Sequence, residues 1–521
     1  MAEPVHRPAR FRTDEDFRRH VPVHVVWEIT LACNLKCQHC GSRAGRPRPD
    51  ELSTEECLEV VDQLARLGTR EISLIGGEAY LRKDWTTIVR AIRGHGIYCA
   101  MQSGARNLTA ARIAEAVDAG LQGLGVSIDG LPELHDELRG VPGSYEMAMQ
   151  ALRTAKAAGL RTSVNTQIGA RTVEQMPAIM DRIIAAGATH WQLQLTVAMG
   201  NAADNDALLL QPYQLLDLMP LLARLYHEGM DRGLLMLPGN NIGYFGPYEH
   251  FWRTLGEEYS HWTGCSAGQT VIGLESDGTV KGCPSLATVG YAGGNIRDLS
   301  LEEIWNSSPA IHFGRLRSVD DLWGFCRSCY YAEVCRGGCT WTADSLFGRP
   351  GNNPFCHHRA LELEKRGLRE RVVKIREAAM TSFATGEFEL ILEPMPGREA
   401  ETPAAATMTA KVTAREPLVQ IGGGKAAASR ASAREGRLPP SLEVCYACDC
   451  FIWPGETTCP HCGADVAAAA AAHAVDGERR RALIAEVEAL IRQAREGHDP
   501  APVERAKIAP CADAASLLSS P

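Results

Sequence analysis

The run Thr30-Leu31-Ala32-Cys33-Asn34-Leu35-Lys36-Cys37-Gln38-His39-Cys40 sets three thiols in a C-x3-C-x2-C loop, directly after an apolar segment at 23–29. Iron–sulfur clusters are normally held by four thiolates. A tight three-thiolate loop with no fourth cysteine nearby leaves one iron of a four-iron cluster with an open position. A small molecule can bind the metal there directly. The competing use of such a loop is a zinc knuckle completed by His39 or by a remote ligand. Structural zinc wants four ligands with some spread in sequence, and His39 is pinned between two of them.

Outward from that loop, β-rich apolar runs at 23–29, 71–75, 97–102, 123–128, 161–168 and 190–195 alternate with helical patterns. Those patterns cover 54–67, 85–93, 110–119, 145–158 and 173–186, and several close on a glycine: Gly68, Gly120, Gly159 and Gly187. Such alternation implies parallel βαβ units. Six units at roughly 30 residues each fall short of a closed eightfold barrel of roughly 250 residues. The expected fold class is therefore α/β, a partial (β/α)6 TIM-like barrel whose missing wall leaves room for a large substrate. Functional residues of such barrels gather at the C-terminal strand ends. The motifs obey this: Cys33 follows the first strand and Gly76-Gly77-Glu78 the second. Gln102-Ser103-Gly104 follows the third and Ser127-Ile128-Asp129-Gly130 the fourth.

Beyond the barrel, the expected divisions are an N-terminal arm (1–20), the barrel (21–210), a helical connector (211–260) and a cysteine-rich domain (261–380). That domain is expected to end in a charged helix over about 358–379. A weakly patterned region and a Gly/Ala/Ser/Arg-rich flexible linker follow (381–440), then a four-cysteine module (441–466). The last segment (467–521) reads as an Ala run, an amphipathic helix at about 479–495 and a disordered tail.

At 521 residues, 45% hydrophobic and 22% charged, the chain has an ordinary globular composition. It shows no export signal and no apolar run long enough to span a membrane, so a cytoplasmic protein without a membrane partner is expected. A formal charge of −9 and no dense Lys/Arg block argue against nucleic acid. Eighteen cysteines in such a chain point to metal sites rather than disulfides. Cys57, in a helical pattern, and Cys99, in an apolar strand, are expected to pack in the core.

The Cys33/Cys37/Cys40 spacing resembles the defining motif of the radical S-adenosylmethionine (SAM) enzymes. Gly76-Gly77-Glu78 is similar to that family's GGE motif, with Ala79 where Pro often stands. Ser127–Gly130, His135-Asp136 and Arg139-Gly140 resemble a stretch of its peptide-modifying members. The resemblance implies a [4Fe-4S] cluster on Cys33, Cys37 and Cys40 that cleaves SAM to a 5′-deoxyadenosyl radical. It implies cosubstrate contacts at Gly76, Gly77, Glu78, Ser103, Ser127 and Asp129. By themselves, Asp129 reads equally as a turn residue before Gly130, and His135 with Arg139 as a surface pair one helical turn apart.

Cys265, Gly278 and Cys283 (C-x12-G-x4-C), then Cys326, Cys329, Cys335 and Cys339 (C-x2-C-x5-C-x3-C), then Cys356 resemble the SPASM extension. The resemblance implies one auxiliary iron–sulfur cluster on Cys326, Cys329, Cys335 and Cys356. A second would rest on Cys265, Cys283 and Cys339, with its fourth ligand open; a zinc-only domain is the bland alternative. Cys445-x2-Cys448-x10-Cys459-x2-Cys462 suits tetrahedral zinc, as in a zinc ribbon, or a single iron, and Cys450 stands near enough to compete. Resemblance thus implies a radical SAM enzyme acting on a ribosomally made peptide or a protein side chain, reduced by a partner such as flavodoxin or ferredoxin. The competing expectations are an enzyme acting on a small molecule of tetrapyrrole type, a sulfatase-maturing enzyme, and a non-enzymatic metal-binding adaptor. Pro284 stands where the sulfatase branch carries Asp.

Overall fold

Strands β1 (His24–Thr30), β2 (Glu71–Gly76), β3 (Tyr98–Ser103), β4 (Gly123–Ser127), β5 (Arg161–Ile168) and β6 (His190–Leu195) are parallel neighbours in chain order. This is the computed structural model of the chain, and it describes residues 9–253, 260–397, 408–410 and 441–495. Alternation along each strand gives two faces. Trp27, Leu74, Met101, Val126, Val164 and Trp191 are wholly buried. The helices that follow the strands, among them Thr54–Arg66, Trp85–Gly94, Ser144–Ala157 and Met176–Ala185, bury their own apolar faces in the same core. Cys57 and Cys99 lie in that core as expected. Tyr98, Gln102, Asn165, Gln167, Gln192 and Gln194 fall on the other, concave face and stay half-buried.

The six expected units are joined by two strands that the periodicity does not show. β7 (Leu235–Pro238) adds parallel to β6, and β8 (Val271–Leu274) adds parallel to β1. β9 (Thr279–Lys281) and β10 (Ala292–Asn295) extend the β8 edge antiparallel. The order β10-β9-β8-β1-β2-β3-β4-β5-β6-β7 does not return on itself, so the sheet stays open. The connector at 211–260 is thus not purely helical. At four residues, β7 is too short for a repeat to show.

A second correction concerns 358–379. The helix His357–Lys365 stops before Gly367, whose φ of +69 suits a glycine, and the chain continues as strand β11 (Leu368–Arg376). β11 pairs antiparallel with β12 (Glu387–Pro394), and β12 with β13 (Met408–Ala410). The weakly patterned region therefore supplies two strands, β12 and β13, of a three-stranded sheet. Gln211 caps its edge: the Gln211 amide oxygen accepts the Val372 N–H at 2.8 Å and the amide nitrogen donates to the Val372 carbonyl at 3.2 Å.

The chain divides after Leu442 into two compact units. The second contains β14 (Glu443–Val444), β15 (Phe451–Ile452) and a helix, Val466–Arg495, that takes in the Ala run and begins well before residue 479. The linker at 422–440 and the tail beyond 495 lie outside the described residues. No helix among the described residues is long and apolar enough to cross a membrane.

Part of the N-terminal arm is pinned under the barrel. Thr13 caps the helix Asp14–Arg19, and Arg70, just before β2, grips Asp16 at 2.7 Å and the Phe11 carbonyl at 2.5 Å. Burial opposes ionisation of Asp16, but the Arg70 and Thr13 hydrogen bonds outweigh it and hold its carboxyl down at about 2. A depressed carboxyl stabilises above its unfolded pKa and loses that effect as pH falls. Asp16→Ala should therefore cost about 1 kcal/mol at neutral pH, and the difference from the parent should shrink below about pH 4 and vanish below about pH 2 in thermal melts. A difference that persists in acid would rule out the ion pair as its source.

Candidate functional site

The Cys33–Cys40 loop leaves the end of β1 and is stitched down on three sides. Cys33 N–H donates to Gly45 O at 3.1 Å. Lys36 and Gln38 N–H groups donate to Arg139 O and Leu138 O at 3.0 and 2.8 Å, at the end of the helix Pro132–Arg139. Asn201, after β6, donates through its side chain to Cys37 O at 2.8 Å and through its backbone to Cys40 O at 3.0 Å. Each sulfur faces one N–H donor: Leu35 N on Cys33 Sγ at 3.4 Å, Arg139 Nη1 on Cys37 Sγ at 3.5 Å, and Ala44 N on Cys40 Sγ at 3.4 Å. One donor per sulfur is what thiolates need when they leave water.

Burial pushes the Cys33 thiol up to about 12 and Cys37 up to about 11, so neither carries a stable charge without a cation beside it. Donor type and N–H compensation fit an iron–sulfur cluster. His39 is engaged elsewhere: its Nε2 faces Asp129 Oδ2 at 3.3 Å.

Gly76 and Gly77 are glycines because the cysteine loop passes over them. A Cβ on Gly76 would meet Thr30 O at 2.1 Å, and one on Gly77 would meet Ala32 O at 2.2 Å and Cys33 Cβ at 2.7 Å. Gly77 and Glu78 N–H groups donate to Thr30 O and Ala32 O at 2.9 and 2.8 Å. Neither neighbour is a flexible side-chain end, so Gly77→Ala must move Cys33. Overpacking of this kind costs about 1–3 kcal/mol. The expected result is reduced iron uptake on anaerobic reconstitution with an unchanged far-UV spectrum. Full iron loading would contradict the close approach.

Glu78 is 1% exposed. Its carboxylate accepts the Gly104 N–H at 2.6 Å and the Ser103 hydroxyl, so it clamps the end of β2 to the end of β3. Burial pushes this carboxyl up to about 7, against the pull of those hydrogen bonds. Asp129 is wholly buried beyond β4. It pairs with Arg139 and His39, and its Oδ1 accepts the Gln167 N–H at 2.9 Å. Burial works against its charge, yet Arg139 and His39 hold it well below the usual carboxylate range. His135 is also fully buried, accepting the Asp129 N–H on Nδ1 at 3.2 Å. Burial and Arg139 lower it to about 4, which leaves a neutral ring. His135 and Arg139 are therefore not a surface pair. Ser127 stays half-buried at the end of β4.

The auxiliary thiols neighbour one another in two sets. Burial pushes Cys283 up to about 12, and the neighbouring Cys265 and Cys339 thiols add to it; Cys265 and Cys283 pack with Trp341 against Phe313 and Tyr291. Burial also pushes Cys335 well up, reinforced by Cys356, Cys326 and Cys329. Tyr244, which the Gly-rich connector gave no reason to single out, touches both groups. Its hydroxyl accepts the Cys339 N–H at 3.0 Å, and its carbonyl faces Cys356 Sγ at 3.8 Å.

In the second unit, Cys445 and Cys462 sulfurs are 3.9 Å apart and Cys448 and Cys459 sulfurs 3.7 Å, all four within 4.8 Å of one another. A tetrahedron with metal–sulfur bonds of about 2.3 Å has edges of about 3.8 Å. The set fits one tetrahedral ion. Cys450 stays outside the group, its carbonyl accepting the Cys445 N–H at 2.9 Å. Cys459→Ser should abolish stoichiometric binding of that ion and leave iron content of the remaining chain intact, as read by elemental analysis. Retained stoichiometry would move the site elsewhere.

Residues 27–183 match the Radical SAM superfamily, and residues 265–330 match the SPASM iron-sulfur cluster-binding domain. The chain is 29% identical over 355 residues to the AdoMet-dependent heme synthase of Oleidesulfovibrio alaskensis, covering 64% of this chain and 86% of that one. It is also 29% identical over 358 residues to the mycofactocin maturase MftC of Mycobacterium tuberculosis, covering 66% and 86%. SuiB of Streptococcus suis, solved with S-adenosylmethionine, shares the fold at a TM-score of 0.52 and 19% identity, over 65% of this chain and 76% of that one. The chain thus carries a radical SAM domain followed by a SPASM iron-sulfur cluster-binding domain.

Proposed function

We propose that this chain modifies a side chain or α-carbon of a peptide or protein, in a reaction opened by hydrogen abstraction. Cys33, Cys37 and Cys40 would hold the catalytic [4Fe-4S] cluster. When bound, that cluster supplies one electron to SAM, which yields the 5′-deoxyadenosyl radical that takes the hydrogen. The chain's own residues hold the reactants. Backbone groups at Gly76, Gly77 and Glu78 would meet the methionine end of SAM, and the half-buried Ser127 hydroxyl would reach it from β4. Glu78 and Ser103 act by fixing the β3 end, and Asp129 by fixing His39 and Arg139 beside the loop. Cys326, Cys329, Cys335 and Cys356 would hold one auxiliary cluster and Cys265, Cys283 and Cys339 another, taking up the second electron. Zinc in the C-terminal four-thiol site would be structural or serve docking. A flavodoxin or ferredoxin of the cytoplasm would supply the reducing electron.

One observation carries the substrate class. The concave face beside the first loop is lined by carboxamides: Gln102 bonds Asn165, and Gln167 reaches Gln194 at 3.5 Å. A carboxamide donates and accepts as a peptide group does. A carboxylated macrocycle would instead call for cations, and the inward cation of strands β3 to β6 is Arg161, at the opposite end of β5. The heme synthase relative keeps the small-molecule alternative in view. Anaerobic incubation with SAM, reductant and short peptides encoded beside the gene should produce a peptide that has lost hydrogen, seen by mass spectrometry. Turnover of a tetrapyrrole carboxylate with every such peptide left intact would reverse the assignment.

A further inference from the structure

The hairpin between β11 and β12 ends in a tip, residues 377–386, that lies between the first cysteine loop and the three-thiol auxiliary site. At its centre is Phe383, in the left-handed region at φ +56. A bulky residue there is strained, and such strain persists only where the surroundings hold it. They do so from both sides. Phe383 N–H donates to Gly41 O at 3.1 Å, one residue past Cys40. Its ring covers Lys281 Nζ at 4.0 Å, two residues before Cys283. Lys281 is itself wholly buried, paired with Glu275 at 2.7 Å and donating to Leu286 O at 2.7 Å.

The flanks of the tip are anchored as well. Gly200 N–H donates to Ala384 O at 2.7 Å, and Met199 bridges Thr385 antiparallel. Met199 Sδ then receives the Trp341 indole N–H at 3.3 Å, and Trp341 packs against the same apolar cluster, Ala267, Leu286, Tyr291 and Phe313, as Cys265 and Cys283 do. At the root of the hairpin, Lys374 ties to Asp204 O at 2.7 Å and Asp206 at 3.1 Å. A turn with no further task would be better served by glycine at this φ. The Phe383 ring, only 9% exposed, is what the strain retains.

We propose that Phe383 is a positioning residue. The hairpin tip is a fixed wall between the Cys33–Cys40 loop and the Cys265/Cys283/Cys339 site, and its ring keeps water and reductant out of the space between them. Water exclusion matters there because a carbon radical that meets anything but its substrate is wasted. The proposal rests on the radical function assigned above, and the test separates the two.

In reconstituted full-length enzyme with reductant and SAM but no peptide, Phe383→Gly should raise uncoupled release of 5′-deoxyadenosine by about fivefold or more. It should speed iron loss to a ferrous chelator to a similar extent. Its melting temperature should fall less than loss of a buried ring ordinarily costs, since glycine suits the backbone. Phe383→Leu, which keeps most of the volume, should stay within about twofold of the parent on both measures. Phe383→Gly indistinguishable from the parent, or Phe383→Leu as altered as Phe383→Gly, overturns the wall. A parent that releases no 5′-deoxyadenosine removes the radical function instead, while the chelator rates still decide whether the ring shields the iron.

Discussion

Replacing Cys33, Cys37 and Cys40 together by alanine should reduce 5′-deoxyadenosine release from SAM to background while leaving the other metal sites loaded. The three sulfurs are the described soft ligands on the first loop, and His39 is turned onto Asp129 at 3.3 Å. Burial that pushes Cys33 to about 12 also means that these thiols ionise only with a cation to compensate them, so cluster assembly and site charge are one event. Thiol loss should not unfold the loop, because its anchors are backbone and amide hydrogen bonds to Gly45, Leu138, Arg139 and Asn201. Iron content should fall by one cluster's complement, the four-thiol ion at Cys445–Cys462 should be retained, and far-UV circular dichroism should match the parent. Turnover surviving the triple replacement would place the radical chemistry on another site.

The barrel was legible because its units repeat one grammar: an apolar strand, a motif at its C-terminal end, and a helix closed by glycine. Gly68, Gly120, Gly159 and Gly187 all have positive φ at the helix ends they were read to mark. What surrounds the cysteine loop was not legible. Asp129, Arg139 and His39 converge from residues some ninety positions apart, and no local period records such a meeting. Locally, Asp129 reads equally as a turn residue and as a site residue, because burial of a carboxylate leaves no local trace. The hairpin escaped for a different reason. In Leu368–Arg376 the charged residues fit helical and alternating patterns alike, and Gly367 with the pairing to β12 decides for the strand. Phe383 carried no signal at all, since its meaning lies in a backbone angle and in contacts with Gly41 and Lys281. Gly76 and Gly77 were recognised, but the partner that requires them is the cysteine loop itself rather than a ligand alone.

Arg139→Leu should destabilise the chain by about 3–5 kcal/mol, the cost of leaving one member of a buried ion pair without its partner. Asp129 is wholly buried, and Arg139 is 8% exposed and joins it to Cys37 Sγ at 3.5 Å. His39 cannot take over in full, because it holds only one carboxylate oxygen, at 3.3 Å. Arg139→Leu combined with Asp129→Asn should recover part of the loss, since the second change removes the stranded charge; the recovery measures their coupling. The pH dependence gives a sharper test. In the parent, Asp129 is held well below the usual carboxylate range, so the pair stabilises above about pH 4 and weakens as pH falls through that range. Without Arg139, burial raises the carboxyl against the remaining pull of His39 and His135 alone. The contribution of Asp129 should then reverse sign: present in acid, where the group is neutral, and turning to a penalty as pH rises past about 4. Urea midpoints of iron-free parent and variant between about pH 3.5 and 7 should diverge with rising pH, by about the pair's full worth at the upper end. Parallel midpoints across that interval would mean that the carboxylate keeps its charge by some means other than Arg139, and the short contact to this guanidinium would be a consequence of the fold rather than a support of it.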